Sequence, residues 1–183
     1  MTAIMPPTTD EPPRVRLRDV TLDDADLLEA WDTPEMRGEY NEFGLPSRGS
    51  LRETLTAGPL RNERNGTLIV ERVADGRPVG TVSWHQVWYG PNDESCAWNI
   101  GIALVPEGRG QGLGPQAQRQ LADLLFATTQ VDRVEASTDV TNLPEQRALE
   151  KAGFVREGIQ RGAQFRAGAR HDLVTYSRLR SDP

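Results

Sequence analysis

The sequence predicts an α/β fold with a mixed central sheet. Strand patterns, in which apolar and polar residues alternate, occur both before and after helical patterns along the chain. Three of the strand patterns follow one another with only turn residues between them, as in an antiparallel meander. A glycine-rich turn then joins a strand to a helix. Together these observations predict the element order β-α-α-β-β-β-α-β-α-β-β.

The N-terminal part is predicted to contain one strand and two helices. Residues 15–18 alternate between apolar and charged side chains, as a half-buried strand does. Thr21 is a suitable N-cap for a first helix, which Pro34 ends or interrupts. A second helix is expected over residues 50–60. The stretch between the helices, residues 35–49, is expected to be irregular.

The remaining elements follow from periodicity and from turn residues. Glycine, proline, asparagine and aspartate mark the turns of the meander, and apolar residues at helical spacing mark the helices. The predicted strands are 67–73, 79–88, 97–105 and 133–140, the predicted helices are 115–130 and 144–152, and the closing strand pair is 154–159 with 172–179.

Size and composition place limits on the function. The 183 residues suit one domain with one apolar core, expected over residues 14–180. Residues 1–13, with four prolines, are expected to be a disordered leader, and residues 181–183 a tail. The net charge of −6 argues against a nucleic-acid partner, and no apolar run is long enough for a membrane helix. A single cysteine and two histidines make a metal site unexpected and fit a cytoplasmic protein.

The glycine-rich turn, residues 108–114, predicts an anion site. Alternating glycines let backbone N–H groups approach a phosphate, and the following helix start adds partial positive charge. Arg109 adds a full positive charge. The alternatives are an ordinary flexible turn and a dinucleotide-binding turn. A dinucleotide-binding turn normally lies in a β-α-β unit, and the antiparallel meander before this turn does not fit that fold. The segment also lacks the Gly-Lys-Ser/Thr ending of a P-loop.

The same turn resembles a known family. Arg109-x-x-Gly112-x-Gly114 is similar to the pattern Arg/Gln-x-x-Gly-x-Gly/Ala of the GNAT N-acetyltransferase superfamily. Residues 142–154 are similar to the second coenzyme motif of that family. The end of the chain is similar to the Rim-type branch, the ribosomal-protein N-terminal acetyltransferases and their relatives. The resemblance covers about residues 14–180 and implies the GNAT fold, whose middle strands splay apart.

The resemblance implies acetyl-coenzyme A as co-substrate, with no metal, and direct attack by a primary amine in a ternary complex. Backbone groups of a splayed strand would bind the pantetheine, and the glycine-rich turn would bind the pyrophosphate. The expected coenzyme-binding residues are Ile102, Leu104, Val105, Arg109, Gly110, Gln111, Gly112, Leu113, Gly114 and Asn142.

Two positions depart from the family pattern. Asn99 stands where Rim-type relatives often have a glutamate, and an amide cannot act as a general base at neutral pH. Glu145 stands where they often have a serine that protonates the leaving thiolate, so Glu145 is a candidate catalytic acid only if its pKa is raised. The alternative for Glu145 is structural, because Asn142-x-x-Glu145 is also a helix capping box.

His85 is the candidate catalytic base, since an ordinary histidine pKa suits removal of a proton through water. The alternative is an exposed or structural histidine. The candidate acceptor-binding residues are Glu39, Tyr40, Glu42 and Phe43, and packing between two helices is the alternative for the two aromatic residues. The expected acceptor is a small-molecule amine or a protein N-terminus, and a homodimer is compatible with the sequence.

A different class of function stays open at this stage. The departures at Asn99 and Glu145 are also compatible with a catalytically degenerate domain that binds acyl-coenzyme A as a sensor or partner module. A nucleotide-binding protein is a weaker alternative.

Overall fold

Seven strands form one mixed sheet in a computed structural model that describes residues 12–43 and 50–183. The spatial order is β1-β2-β3-β4-β5-β7-β6. The strands are β1 Val15–Asp19, β2 Asn65–Arg72, β3 Pro78–Trp88, β4 Cys96–Leu104, β5 Arg133–Asp139, β6 Val155–Arg166 and β7 Ala169–Leu179. The helices in this part of the chain are α1 Ala25–Ala30, α2 Pro34–Asn41, α3 Leu51–Ala57, α4 Leu113–Thr128 and α5 Leu143–Lys151.

The predicted α/β class, the mixed sheet and the splayed middle strands are confirmed. Every neighbouring pair of strands is antiparallel except β4 and β5, which run parallel. These two strands pair only at Trp98 with Val134 and at Asn99 with Glu135. Beyond Asn99 the remainder of β4 has no partner on its β5 side, so a gap opens in the middle of the sheet.

Helix α4 covers one face of the sheet and completes the apolar core. Its buried stripe includes Ala117, Leu121 and Leu125, at the spacing that puts them on one side of a helix. This stripe packs in the same cluster as Trp84 and Trp98 from β3 and β4. In the described part of the chain, no helix is long and apolar enough to cross a bilayer.

The prediction of an irregular segment over residues 35–49 is wrong for its first part, which forms helix α2 with a kink at Gly38, where φ is +61°. Thr33 caps this helix, because its side chain accepts a hydrogen bond from the Met36 N–H at 3.2 Å. Pro34 occupies the first turn, where its missing N–H costs nothing. Proline therefore starts this helix as well as separating it from α1. Residues 44–49 lie outside the described residues.

The first predicted helix is shorter than expected. Residues 22–24 form a single 3-10 turn, and the α-helix proper begins at Ala25. Thr21 and Asp24 form a capping box at this start, in which the Asp24 carboxylate accepts hydrogen bonds from the Thr21 N–H at 2.8 Å and from Arg18 at 2.8 Å.

The closing strand pair is much longer than predicted. Strands β6 and β7 extend to a turn at residues 167–168, where Ala167 and Gly168 both have positive φ. A register shift between Gln160 and Gln164 accompanies Gly162, whose φ is +58°. Residues 160–171 are largely polar and show no alternation, which is why the extension was not predicted. The hairpin reaches α2 and contributes to the site described next.

Candidate functional site

A cavity of about 650 Å³ opens where β4 diverges from β5. Helix α2 forms one wall and the end of β4 another, while the glycine-rich turn, the start of α4 and helix α5 close the rest. Among the residues that line it are Glu39, Tyr40, Ile102, Leu104, Arg109, Gly110, Gly112, Gly114, Asn142 and Glu145. The structure thus brings most of the predicted site residues together around one cavity.

The glycine-rich turn presents unpaired backbone N–H groups at the start of α4. Gly112 is the N-cap residue with φ +74°, and no side chain caps the helix. The N–H groups of Gly112, Leu113 and Gly114 donate to no other residue that the structure describes. The first turn carries no acidic residue. This arrangement suits an anion, because free N–H groups and the helix dipole both favour negative charge.

Two further features of the turn concern the space beside it. Gly110 has φ +71°, and a Cβ atom placed there would meet nothing within 4 Å, so the backbone borders open space. Gln111 points its side chain back to the Glu107 carbonyl, and the Leu113 side chain is buried in the core. Gln111 and Leu113 can therefore serve an anion only through their backbone.

Arg109 is held by the protein itself. Its Nε donates to the Leu104 carbonyl at 2.9 Å, and one terminal nitrogen donates to the carbonyls of Glu35 and Met36 at 3.2 and 2.9 Å. The guanidinium thus fastens α2 to the end of β4, across one side of the cavity. Arg109 is predicted to hold the pyrophosphate, and these contacts give it a structural role in addition.

The free edge of β4 offers backbone hydrogen bonds to a ligand. Val105 donates to Val79 on the β3 side, and its carbonyl accepts from Gly108, so both of its groups are occupied. Because successive residues of a strand alternate, the N–H groups of Ile102 and Leu104 face the gap. Of the three residues predicted here, Ile102 and Leu104 are placed to bind an extended ligand and Val105 is not.

Helix α5 carries Glu145, a carboxyl group whose pKa is raised. The Asn142 side chain caps this helix by accepting from the Glu145 N–H at 3.4 Å. The Asn142 N–H donates to Asp139 instead of to the Glu145 carboxyl, so the predicted capping box is only half formed. Burial raises the pKa of Glu145 to about 7, although a hydrogen bond with Gln118 acts in the opposite direction.

Asn99 and His85 lie opposite each other on the polar face of the sheet, away from α4. They are paired in register across β3 and β4, and the His85 side chain is exposed. The Asn99 amide donates to the Glu135 carboxylate at 3.3 Å, and that carboxylate also accepts from the Tyr89 hydroxyl at 2.5 Å. A buried carboxylate therefore lies beside the position of the missing glutamate. No sequence pattern marks Glu135, because pairing between parallel strands is set by tertiary structure.

The four predicted acceptor-binding residues divide into two groups. Glu39 and Tyr40 lie on α2 and line the cavity, and a hydrogen bond with Glu39 raises the pKa of Tyr40. Glu42 follows the helix and accepts from the Arg37 Nε at 2.8 Å. Phe43 is 42% exposed. Neither Glu42 nor Phe43 lines the cavity.

A buried ion pair that sequence reasoning missed holds the end of α2 in place. Arg166 of the hairpin donates to the Asp139 carboxylate at 2.6 Å, and its guanidinium lies 5.6 Å from the centre of the Tyr40 ring. Both charged side chains are almost fully buried. His171 lies beside them, with its Nδ1 3.2 Å from the same carboxylate. The pair joins the ends of β5, the hairpin and α2 at the edge of the cavity.

Comparisons with known proteins agree with this geometry. The family model for the acetyltransferase (GNAT) domain matches residues 14–155. An uncharacterized N-acetyltransferase, p20, from Bacillus licheniformis is 25% identical over 173 residues, which are 92% of this chain and 94% of that protein.

Two solved structures share the fold. Spermidine N-acetyltransferase from Vibrio cholerae, in complex with CoA and spermine, superimposes with a TM-score of 0.77 at 19% identity and covers 92% of this chain and 97% of its own. Ribosomal-protein-S5-alanine acetyltransferase from Vibrio fischeri gives a TM-score of 0.74 at 19% identity, with 94% and 96% covered. The family match, together with the splayed strands and the glycine-rich turn, shows that this chain belongs to the GNAT acetyltransferase family and transfers acetyl groups from acetyl-coenzyme A to amines.

Proposed function

We propose that acetyl-coenzyme A binds in the 650 Å³ cavity with its pyrophosphate at the start of α4. The observation that carries this proposal is the set of three unpaired N–H groups at Gly112, Leu113 and Gly114. They lie beside the open space at Gly110, which lets a bulky phosphate approach the backbone closely. Asn142, at the far wall, is a further coenzyme contact in this proposal.

The free edge of β4 orients the rest of the coenzyme. Backbone groups of Ile102 and Leu104 bind the pantetheine arm as a neighbouring strand would. The Ile102 N–H also polarises the thioester carbonyl, which makes the carbon more open to attack by an amine.

Glu145 acts as the catalytic acid in this proposal. It lines the cavity, and burial raises its pKa to about 7, so a substantial fraction carries a proton at neutral pH. That proton passes to the departing thiolate sulfur. A carboxyl with an ordinary pKa would be ionised and could not donate it.

His85 is the proposed catalytic base, acting through water on the acceptor ammonium. Its exposed ring on the polar face of the sheet, opposite Asn99, supports this role. The neighbouring Glu135 carboxylate adds negative charge on the same face.

The acceptor is proposed to be a primary amine that is cationic before it reacts, on a small molecule or at a protein N-terminus. Glu39 and Tyr40 on α2 would contact it, with Glu42 and Phe43 further out. The net charge of −6 supports a cationic substrate by long-range attraction. One structural neighbour is named as a spermidine acetyltransferase and another as a ribosomal-protein-S5-alanine acetyltransferase, so the two names represent the two proposed kinds of acceptor.

A matched pair of glycine variants tests the coenzyme site. Gly110 and Gly168 have φ of +71° and +79°, and a Cβ atom added at either position would meet nothing within 4 Å. Valine at either position adds a similar backbone strain of about 1–2 kcal/mol, but only Gly110 lines the cavity. We expect calorimetry to show at least about tenfold weaker coenzyme A binding for Gly110→Val, corresponding to about 1.4 kcal/mol, and unchanged binding for Gly168→Val. Equal affinities would contradict the proposed site.

The acceptor is found by direct assay. The enzyme is incubated with acetyl-coenzyme A and either spermidine, an aminoglycoside or peptides that begin with alanine or serine. Release of free thiol measures turnover, and mass spectrometry locates the acetyl group. A neutral hydroxyl analogue that turns over as fast as the amines would contradict the proposed acceptor class.

The cellular setting is part of the same proposal. The single cysteine, Cys96, is buried, which suits the reducing cytoplasm.

Val155, Ile159 and Phe165 are exposed on the edge strand β6 and support a homodimer through that edge. Sedimentation of the protein and of Ile159→Lys tests it, and an unchanged sedimentation coefficient would contradict this interface.

A further inference from the structure

A second cavity, of about 820 Å³, lies at the C-terminal end of helix α4. The last turn of α4, the end of β3, the start of β4 and the segment before β2 surround it. No described residue lines both this cavity and the coenzyme cavity. Helix α4 has 16 residues, so its two ends lie about 24 Å apart. The second cavity is therefore separate from the glycine-rich turn and from the site of acetyl transfer.

Three indole rings form the apolar part of this cavity. Alternation along β3 puts Trp84 and Trp88 on the same face of the sheet. Trp98 of β4 lies on that face too, because it pairs in register with Gln86. Trp84 and Trp98 are buried in the core beside α4, whereas Trp88 is 52% exposed. Aromatic surface that stays accessible inside a concave site is typical of a place where a ligand binds.

Two of the three rings are held in place by their neighbours. A Cβ atom added at Gly66 would overlap the Trp84 ring, so this ring packs directly on the Gly66 backbone. The Trp98 Nε1 donates to the Thr129 hydroxyl at 3.2 Å. The orientation of both rings is thus set before a ligand arrives, which reduces the entropy that binding costs.

Negative charge dominates the rim of the cavity. The charged side chains that line it are Glu63, Asp93, Glu94, Asp132 and Arg61. Arg61 is paired with Asp19 at 2.9 Å, and Asp132 is paired with Arg180 at 3.1 Å. Within the described part of the chain, no basic side chain forms an ion pair with the other three carboxylates. The rim therefore attracts a positive charge that the protein itself does not supply.

We propose that this cavity binds an organic cation with an apolar body, of the aryl-alkyl ammonium class. The indole rings contact the apolar body, and their faces attract the cationic head. The carboxylates of the rim attract the same charge. An anion is repelled by the rim, and a neutral ligand leaves these carboxylates without a partner. Because the cavity is separate from the site of acetyl transfer, the bound cation is a ligand and not the amine that is acetylated.

The first test locates the binding site through the four tryptophan indole N–H signals in NMR spectra of isotope-labelled protein. Benzyltrimethylammonium is the probe, since its quaternary nitrogen has no proton to lose and cannot be acetylated. We expect it to shift the signals of Trp84, Trp88 and Trp98 but not that of Trp31, which does not line the cavity. Replacing one tryptophan at a time with phenylalanine assigns the signals. No shift, or a shift of Trp31 alone, overturns the proposal.

The second test separates the contributions of charge and of the rings, with the indole shifts as the measure of affinity. Phenylacetate has the same ring with a negative charge, and we expect it to bind at least about tenfold more weakly than the cation. Trp88→Leu should weaken binding of the cation several-fold, whereas Phe165→Leu, which removes an aromatic ring that is 60% exposed on β6, should not. Glu63→Gln should also weaken it, and Glu53→Gln is the matched control, because Glu53 is exposed on α3 away from the cavity.

Three outcomes contradict this assignment. Equal affinities for benzyltrimethylammonium and phenylacetate would show that charge is not recognised. Equal effects of Trp88→Leu and Phe165→Leu would show that the probe does not bind at the indole rings. If neither probe binds and Trp88→Leu lowers the sedimentation coefficient, the cavity belongs to a contact between two copies of this chain, and the proposed ligand class is wrong.

Discussion

Removal of Arg166 should both destabilise the protein and loosen one wall of the cavity. In Arg166→Met the Asp139 carboxylate keeps its hydrogen bonds from Thr141 but loses its counter-ion, while its burial is unchanged. Breaking one side of a buried pair costs about 3–5 kcal/mol. For a protein of this length each kcal/mol lowers the Tm by about 2–4 °C, so we expect a fall of about 6–20 °C.

A double-mutant cycle isolates the pair from the effect of lost packing. Asp139→Asn removes the charge from the other side, and the double variant leaves no uncompensated carboxylate. We therefore expect the double variant to be more stable than the sum of the single losses predicts, by about 1–3 kcal/mol. Urea unfolding followed by circular dichroism supplies the free energies. Additive losses, or a cost below about 1 kcal/mol for Arg166→Met, would show that the ion pair does not hold this corner together.

Acid pH offers an independent check on the same group. Burial alone would raise the pKa of Asp139, but hydrogen bonds from Thr141 and Arg166 outweigh it and lower the pKa to about 2. A carboxyl with a lowered folded-state pKa contributes stability that is fully present above its ordinary pKa and is lost as the pH falls from about 4 towards 2. In Arg166→Met this part of the pH dependence should become shallower. An unchanged slope would exclude Arg166 as its cause.

Three further outcomes are expected. Arg109→Ala should weaken coenzyme A binding in calorimetry and also speed proteolysis near α2, because the guanidinium fastens that helix to β4. Weaker binding with no change in proteolysis would contradict the structural role of Arg109 and leave only its charge. His85→Ala should remove the acidic limb of the pH–rate profile, whereas Asn99→Ala should keep it, and a wild-type profile in His85→Ala would exclude that base. Glu39→Gln should raise the KM for the acceptor and make kcat/KM for the acceptor less sensitive to salt. Glu42 lies outside the cavity, so Glu42→Gln should mainly lose an ion pair and change this KM less. Equal effects of the two variants would contradict this ranking.

The sequence was sufficient for the elements whose patterns are local. The meander, helix α4 and the turn at residues 108–114 follow from alternation, helical spacing and glycine, which act over a few neighbouring residues. Helix α2 shows where such reasoning failed. Pro34 predicts that the first helix ends or is interrupted there, but Thr33 and Pro34 together are also a helix start. A proline alone does not say on which side of it the helix lies.

The site was predictable only where a motif marks it. Gly112 and Gly114 belong to such a motif, and they line the cavity as expected. Arg166 and Glu135 have no comparable signal. The first reaches Asp139 across 27 positions through an unpredicted hairpin, and the second lies beside β4 only through pairing between parallel strands. Both facts depend on tertiary packing, which no local pattern in one sequence reports.

The short junction between β4 and β5 has a consequence for how the molecule opens. Strands β1 to β4 form one continuous antiparallel block and β5 to β7 another, and only two residue pairs join them directly. Separation of the two blocks between β4 and β5 breaks far fewer sheet hydrogen bonds than separation of any two strands within a block. It should therefore be the easiest large opening of the sheet. A ligand that forms hydrogen bonds with the free edge of β4 would oppose this separation of the two blocks. Amide hydrogen exchange at Ile102 and Leu104 should therefore be fast in the free protein and slow when coenzyme A is bound. During turnover, the exchange rate at these two residues should reflect the fraction of enzyme molecules without coenzyme.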